Sequence, residues 1–392
     1  MKIKKYLLRN IGGFIIVAAL IVVAALPAFT GTAKEIANTA VGSDINQKIE
    51  TMIKDMTIEQ KVGQMIFYAF RWNNRGKVTK VDDNISQVVK GYGLGGVALF
   101  SENIQSKSQV TEYIADLQKA AAIPLFISID EEGGRVLRTR SLDVPRIKSA
   151  FNIGKTGNAK NAHLAAQIIA NYLKPLGFNV NFAPSADVLT NPYNKVIGDR
   201  AFSSDPVKAG EMVGSFVEGS LDNGIMPALK HFPGHGHTSE DSHYGMAVTK
   251  KTLEEMIKCE FIPFKAGIDA GTTFVMTGHI STPNIGDGNT PSTFSKILLQ
   301  EVLRDTLGFE GIIITDALGM GAIKNYYTSG DTAVYAILAG VDMLLMPDNL
   351  NDAYMGILKA VTAGTITEER IDESVKRILT AKYKAGLIEL PN

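Results

Sequence analysis

Residues 311–320, GIIITDALGM, place an aspartate directly after a run of β-branched residues. A strand with one wet face would alternate apolar and polar side chains. Ile312–Thr315 does not, and so reads as a strand buried on both faces. Setting the Asp316 carboxylate at its end is costly unless the charge is paired or used. One reading makes Asp316 a cap for a following helix. The other makes it a nucleophile or general base at the mouth of a sheet. The choice depends on whether the pattern recurs.

It recurs along the chain. Short apolar runs lie at 64–70 (QMIFYAF), 95–100 (GGVALF), 124–130 (PLFISID), 179–185 (NVNFAPS), 226–232 (MPALKHF), 273–280 (TFVMTGHI) and 341–347 (VDMLLMP). With 311–317 they make eight. Amphipathic stretches of helical length separate them, among them 106–122, 161–177 and 207–224, the last closed by Gly224. Near-continuous apolar strands alternating with helices predict a parallel sheet covered by helices, and eight units fit a closed (β/α)8 barrel. No phosphate-cradling glycine loop follows the first strand, which disfavours an open dinucleotide-binding sheet. Asp130, Lys230, His231, His279, Asp316 and Asp348 all fall at or just after carboxyl ends of predicted strands, and in a barrel those ends share one mouth.

The 392 residues carry 40 Lys plus Arg and 40 Asp plus Glu, so nothing in the charge favours nucleic acid. Cys259 is the only cysteine, which excludes an intrachain disulfide and any multi-cysteine metal site. At the N-terminus Lys2, Lys4, Lys5 and Arg9 precede an uncharged run from Ile11 to Phe29. Residues 1–29 are therefore expected to be a signal peptide or a transmembrane anchor, with a small-residue cleavage site at Gly31–Ala33. Residues 30–44 read as a linker and 45–388 as one catalytic domain. The protein is expected outside the cytoplasm, secreted or held to the membrane by the uncleaved segment, with no obligate protein partner evident.

Residues 230–246, KHFPGHGHTSEDSHYGM, hold four of the six histidines: His231, His235, His237 and His243. Asp241 two residues before His243 suits a carboxylate that fixes an imidazole tautomer and stabilises the imidazolium. His235-Gly236-His237 also has metal-binding spacing, but a metal-dependent barrel hydrolase wants such a pair at the first strand, which ends FYAFRWNN without histidine. His163, within an amphipathic stretch, reads as a surface residue, and His279 as a pocket lining. In DEEGGRVLRTR (130–140), Arg135 and Arg138 either balance the three carboxylates or grip a polar substrate.

With these residues in view, the chain resembles glycoside hydrolase family 3, in particular its β-N-acetylglucosaminidase branch, from about Ile49 to Leu387. The most specific element is KHFPGHGHTSEDSH. IDEEGGRVLR, GDRAFSSDP (198–206), VMTGHI (275–280) and TDALGM (315–320) support it in order along the chain. The resemblance implies Asp316 as the nucleophile of a covalent glycosyl-enzyme, His243 as the acid/base and Asp241 as its partner. It implies Asp130, Arg138, Arg200, Lys230 and His231 as the residues holding a non-reducing GlcNAc, with no metal and no cofactor. The substrate it implies is a small GlcNAc-containing carbohydrate, either muropeptides or chitooligosaccharides. His237 stands where the branch often has Asp, and Glu131 where Gln is common.

A neutral imidazole as acid avoids repulsion with the anionic nucleophile, and it titrates where a group that donates and then accepts should. Four rivals stay in view. A phosphorylase would use phosphate as acceptor. A family 3 β-glucosidase is disfavoured by how soon after Asp316 the chain ends, which leaves no second α/β domain. An anchored sugar-binding protein would have lost Asp316 or His243. A substrate-assisted hexosaminidase would carry an Asp-Glu pair after the fourth strand, where the chain reads FAPSADV.

Overall fold

The eight apolar runs become eight parallel strands: β1 (Ile66–Tyr68), β2 (Gly96–Ala98), β3 (Phe126–Ile129), β4 (Val180–Asn181), β5 (Met226–Phe232), β6 (Phe274–Thr277), β7 (Ile312–Thr315) and β8 (Leu344–Leu345). In the computed structural model each strand from β1 to β6 pairs with the next in sequence, and β1 pairs with β8 through Ile66 with Leu344. The ring closes where Ile314 of β7 bridges Met343 just ahead of β8. Phe67 of β1 meets Phe182 beyond β4 at 5.4 Å between ring centres, and Phe126 of β3 meets Phe274 of β6 at 5.2 Å. These contacts between opposite sides of the ring show a barrel filled with side chains. The structure describes residues 33–238, 246–285 and 288–391, with side chains from Asp44 onward.

The helices begin where the chain supplies acceptors for their first N–H groups. Asp82 caps Asp83–Tyr92, and Ser106 caps Lys107–Ala120. Asp205 takes the Val207 and Lys208 N–H groups at the head of Pro206–Leu221. Gly93 ends Asp83–Tyr92 at φ 62°, a left-handed conformation that costs glycine nothing. Close backbone contacts fix the bottom of the barrel: a Cβ on Gly95 would lie 1.9 Å from the Gln64 carbonyl oxygen. There too Lys382, fully buried on the helix Glu368–Lys384, donates to Gln64 Oε1 at 2.7 Å and sits 5.1 Å from the Phe126 ring centre.

The barrel belongs to a compact unit that begins at Lys48. The stretch expected to be a linker is helical from Ala33, in a helix that runs to Lys54. Its sequence, AKEIANTAVGSD, has no proline and a single glycine, so nothing local breaks the helix. Among the described residues no helix is long and apolar enough to cross a membrane. The apolar run Ile11–Phe29 lies outside them.

Candidate active site

Asp130 leaves the end of β3, and Lys230 lies on β5 facing it. Lys230 Nζ donates to Asp130 Oδ1 at 2.7 Å and lies 2.7 Å from Glu132 Oε1. Arg138 Nη2 reaches Asp130 Oδ2 at 3.3 Å. Arg200 grips Glu132 with two parallel bonds of 2.9 Å, Nε to Oε2 and Nη2 to Oε1, the fork geometry that makes guanidinium–carboxylate pairs strong. Burial would raise the Glu132 pKa, but Arg200 and Lys230 outweigh it and hold the carboxyl far below its usual range. Asp130 is lowered too, with Lys230 and Arg138 overcoming burial.

His231 extends this network. Its Nε2 is 3.2 Å from Arg200 Nη2, and its Nδ1 is 2.8 Å from Oδ2 of the buried Asp187. Burial works against the Asp187 charge; His231, His235 and the His235 N–H more than compensate, and its pKa is lowered.

Asp316 stands half-buried at the end of β7, its Oδ1 accepting the Ala317 N–H at 2.7 Å. It caps no helix: the next one, Gly321–Lys324, has Met320 at its N-cap position. Burial raises its pKa, while His231, His279, the Ala317 N–H and Lys230 draw it down, and the lowering wins. Asp316 is thus an ionised carboxylate facing the barrel mouth. His279 is fully buried behind it, with Nε2 3.1 Å from the Ala317 carbonyl and Nδ1 2.8 Å from Thr293 Oγ1. A carbonyl can only accept, so His279 donates through Nε2 and anchors the main chain beside Asp316.

The structure therefore brings together Asp130, Arg138, Arg200, Lys230 and His231, and sets Asp316 close enough to feel His231 and Lys230. Asp241 and His243 lie outside the described residues. The mouth position of Asp348 does not make it part of this group: it is exposed, 3.7 Å from Lys324. Arg135 turns away to the carbonyls of Lys195, Val196 and Ile197 and pairs with Asp199.

His235 is buried, with Nδ1 2.6 Å from Thr238 Oγ1, whereas His237 is exposed and meets Thr190. Among the described residues no group of three or more His, Cys, Asp or Glu is placed to hold a metal ion. Glu132 and Asp187 belong to the network but were not singled out from the sequence. The signal that could have found Asp187 is the one that found Asp316, a carboxylate following a buried strand.

A closed parallel barrel with carboxylates and interlocked cations at its carboxyl mouth has the arrangement of a barrel enzyme site, offering both donors and acceptors. Residues 57–381 match the glycosyl hydrolase family 3 N terminal domain, and the chain belongs to that family. It is 32% identical over 367 residues to beta-hexosaminidase A of Pseudoalteromonas piscicida, covering 84% of this chain and 61% of that protein. It is 33% identical over 307 residues to beta-hexosaminidase LpqI of Mycobacterium tuberculosis, covering 75% of this chain and 77% of the relative. Among solved structures, a family 3 β-N-acetylglucosaminidase from Paenibacillus sp. FPU-7 superposes with a TM-score of 0.81 at 35% identity, over 86% of this chain and 65% of that one. The chain thus spans less than two thirds of the length of the first and third of these proteins.

Proposed function

We propose that the chain is a retaining β-N-acetylhexosaminidase that removes terminal, non-reducing β-linked GlcNAc through a glycosyl–Asp316 intermediate. The observation that carries this reading is Asp316, an ionised carboxylate at the end of β7, set beside the Asp130–Lys230–Glu132–Arg200–His231 network. A retaining glycosidase needs a carboxylate to attack the anomeric carbon and an acid to protonate the departing oxygen. Asp316 takes the first role. His243, paired with Asp241, takes the second and then accepts the proton of the attacking water. Asp130, Arg138, Lys230 and His231 hold the sugar hydroxyls, while Arg200 is largely committed to Glu132 and His231 and acts mainly by fixing them.

The names of the relatives support a GlcNAc glycoside as substrate, with muropeptides or chitooligosaccharides as natural sources. Residues 1–29 would place the enzyme outside the cytoplasm, secreted or membrane-tethered. The test is release from aryl β-N-acetylglucosaminide and aryl β-glucoside, with and without chelator and inorganic phosphate, beside Asp316→Ala. The reading requires chelator-resistant, phosphate-independent release from the acetylated sugar, reduced at least about 1,000-fold in the variant. Release only with phosphate would make the protein a phosphorylase. Equal release by the variant would move the nucleophile elsewhere.

A further inference from the structure

Asp187 is a buried carboxylate with four donors around it, none of them, among the described residues, a lysine or arginine. Oδ2 receives Ser185 Oγ at 2.9 Å and faces His231 Nδ1 at 2.8 Å. Oδ1 receives the His235 N–H at 2.6 Å and the His231 N–H at 3.4 Å. On the other side of the imidazole, Nε2 faces Arg200 Nη2 at 3.2 Å. A guanidinium has no acceptor, so Nε2 must carry the lone pair and Nδ1 the proton. The ring thus turns its Nδ1 proton toward Asp187 and its Nε2 lone pair toward Arg200.

We propose that Asp187 is a positioning residue that locks His231 as a hydrogen-bond acceptor, its lone pair taken by Arg200 in the free site, and bars it from donating a proton to the bound sugar. As far as it concerns the sugar, this rests on the hexosaminidase reading. It deepens that reading by removing His231, whose charge would act on Asp316, from the candidates for general acid. Asp187 also ties down the main chain at His235, so one carboxylate fixes both the ring and the start of the loop that follows β5.

Asp187→Asn gives a sharp test, because an amide presents an acceptor on one side only. The main-chain N–H groups of His231 and His235 cannot reverse, so the amide oxygen must face them. The amide nitrogen then donates to His231 Nδ1, which drives the ring proton to Nε2, against Arg200. Long-range proton–nitrogen NMR of the ¹⁵N-labelled protein reads the tautomer directly. The six histidines make a simple spectrum, and His231→Gln assigns the signal.

The wild type is expected to show a protonated Nδ1 and a bare Nε2. Asp187→Asn should reverse this and lower kcat/KM on the aryl GlcNAc substrate about 100-fold, the upper range for losing an outer partner of a site residue. Ser185→Ala, which keeps the carboxylate, should keep the tautomer and stay within about 5-fold in activity. A wild-type spectrum with Nε2 protonated, or with both nitrogens protonated, overturns the proposal, as does an Asp187→Asn protein of unchanged tautomer and activity. If Asp187→Asn does not fold, the wild-type and Ser185→Ala spectra decide. A wild type inactive on GlcNAc glycosides would defeat the hexosaminidase reading while leaving the tautomer to be decided by the spectrum.

Discussion

Replacing Glu132 by glutamine removes one negative charge from the centre of the ion-pair network with almost no change in shape. Glu132 is buried and accepts two bonds from Arg200 while lying 2.7 Å from Lys230 Nζ. In Glu132→Gln the amide oxygen can keep one of these donors, and the amide hydrogens point at the rest. Breaking a buried ion pair from one side typically costs about 3–5 kcal/mol, because the partner charge is left without compensation. For a folded unit the size of Lys48–Asn392 that corresponds to a fall of about 4–7 °C in Tm.

The pH dependence carries its own sign. The folded pKa of Glu132 is depressed, so its contribution is fully present above the unfolded carboxylate pKa of about 4.3 and is lost as pH falls through the folded pKa. The gap between wild type and variant should thus be constant from pH 7 to pH 5 and narrow only below about pH 4. Activity should fall with it, by about 100-fold in kcat/KM, since Arg200 and Lys230 lose the anchor that aims them. Thermal unfolding at pH 7, 5 and 3.5 together with the aryl GlcNAc assay measures all of this. A variant that melts within about 1 °C of wild type at pH 7 would refute the claim that the Glu132 charge holds the network.

Two further perturbations test the frame around the site. Burial depresses Lys382 to about 7, so the unfolded chain binds more protons than the folded one from about pH 7 to pH 10, and the Lys382 contribution makes stability rise with pH over that window. Lys382→Met should be about 2 kcal/mol or more stabler at pH 7 and should lack that part of the rise, as chemical denaturation across the range will show. A Cβ at Gly236 would lie 1.9 Å from the Val188 carbonyl oxygen. Gly236→Ala should therefore cost about 1–3 kcal/mol and lower activity by shifting the segment that begins at His235, whereas a glycine serving only as a flexible hinge would tolerate alanine.

The barrel was legible because each buried strand in a covered parallel sheet announces itself as an apolar run. The position of Asp316 after Ile312–Thr315 marked the mouth for the same reason. Lys230 and His231 were legible as polar residues inside the apolar run MPALKHF, where their burial demanded partners. Those partners were harder to read. DEEGG offers three acids in a row, and only the turn geometry decides that Asp130 and Glu132 face the cations. Glu131 instead turns to neutral donors: the Arg138 N–H, Thr139 and Tyr172. Asp187 in FAPSADV carries no local sign of its partner, a histidine 44 residues further along the chain. Contacts such as His231 on β5 with Asp187 in the segment after β4 join residues far apart in the chain, and periodicity carries no record of them. The helix from Ala33 is not legible because small polar residues suit helices and linkers alike.

The most direct test of the central claim is to find where the sugar becomes attached. Wild-type protein would be incubated with a slow 5-fluoro-GlcNAc fluoride, digested with protease and mapped by mass spectrometry. The account predicts one fluorinated GlcNAc on the peptide carrying Asp316, absent from Asp316→Ala and discharged when a good acceptor is added. A label on another carboxylate, or turnover of the GlcNAc substrate with inversion and no adduct, would contradict it.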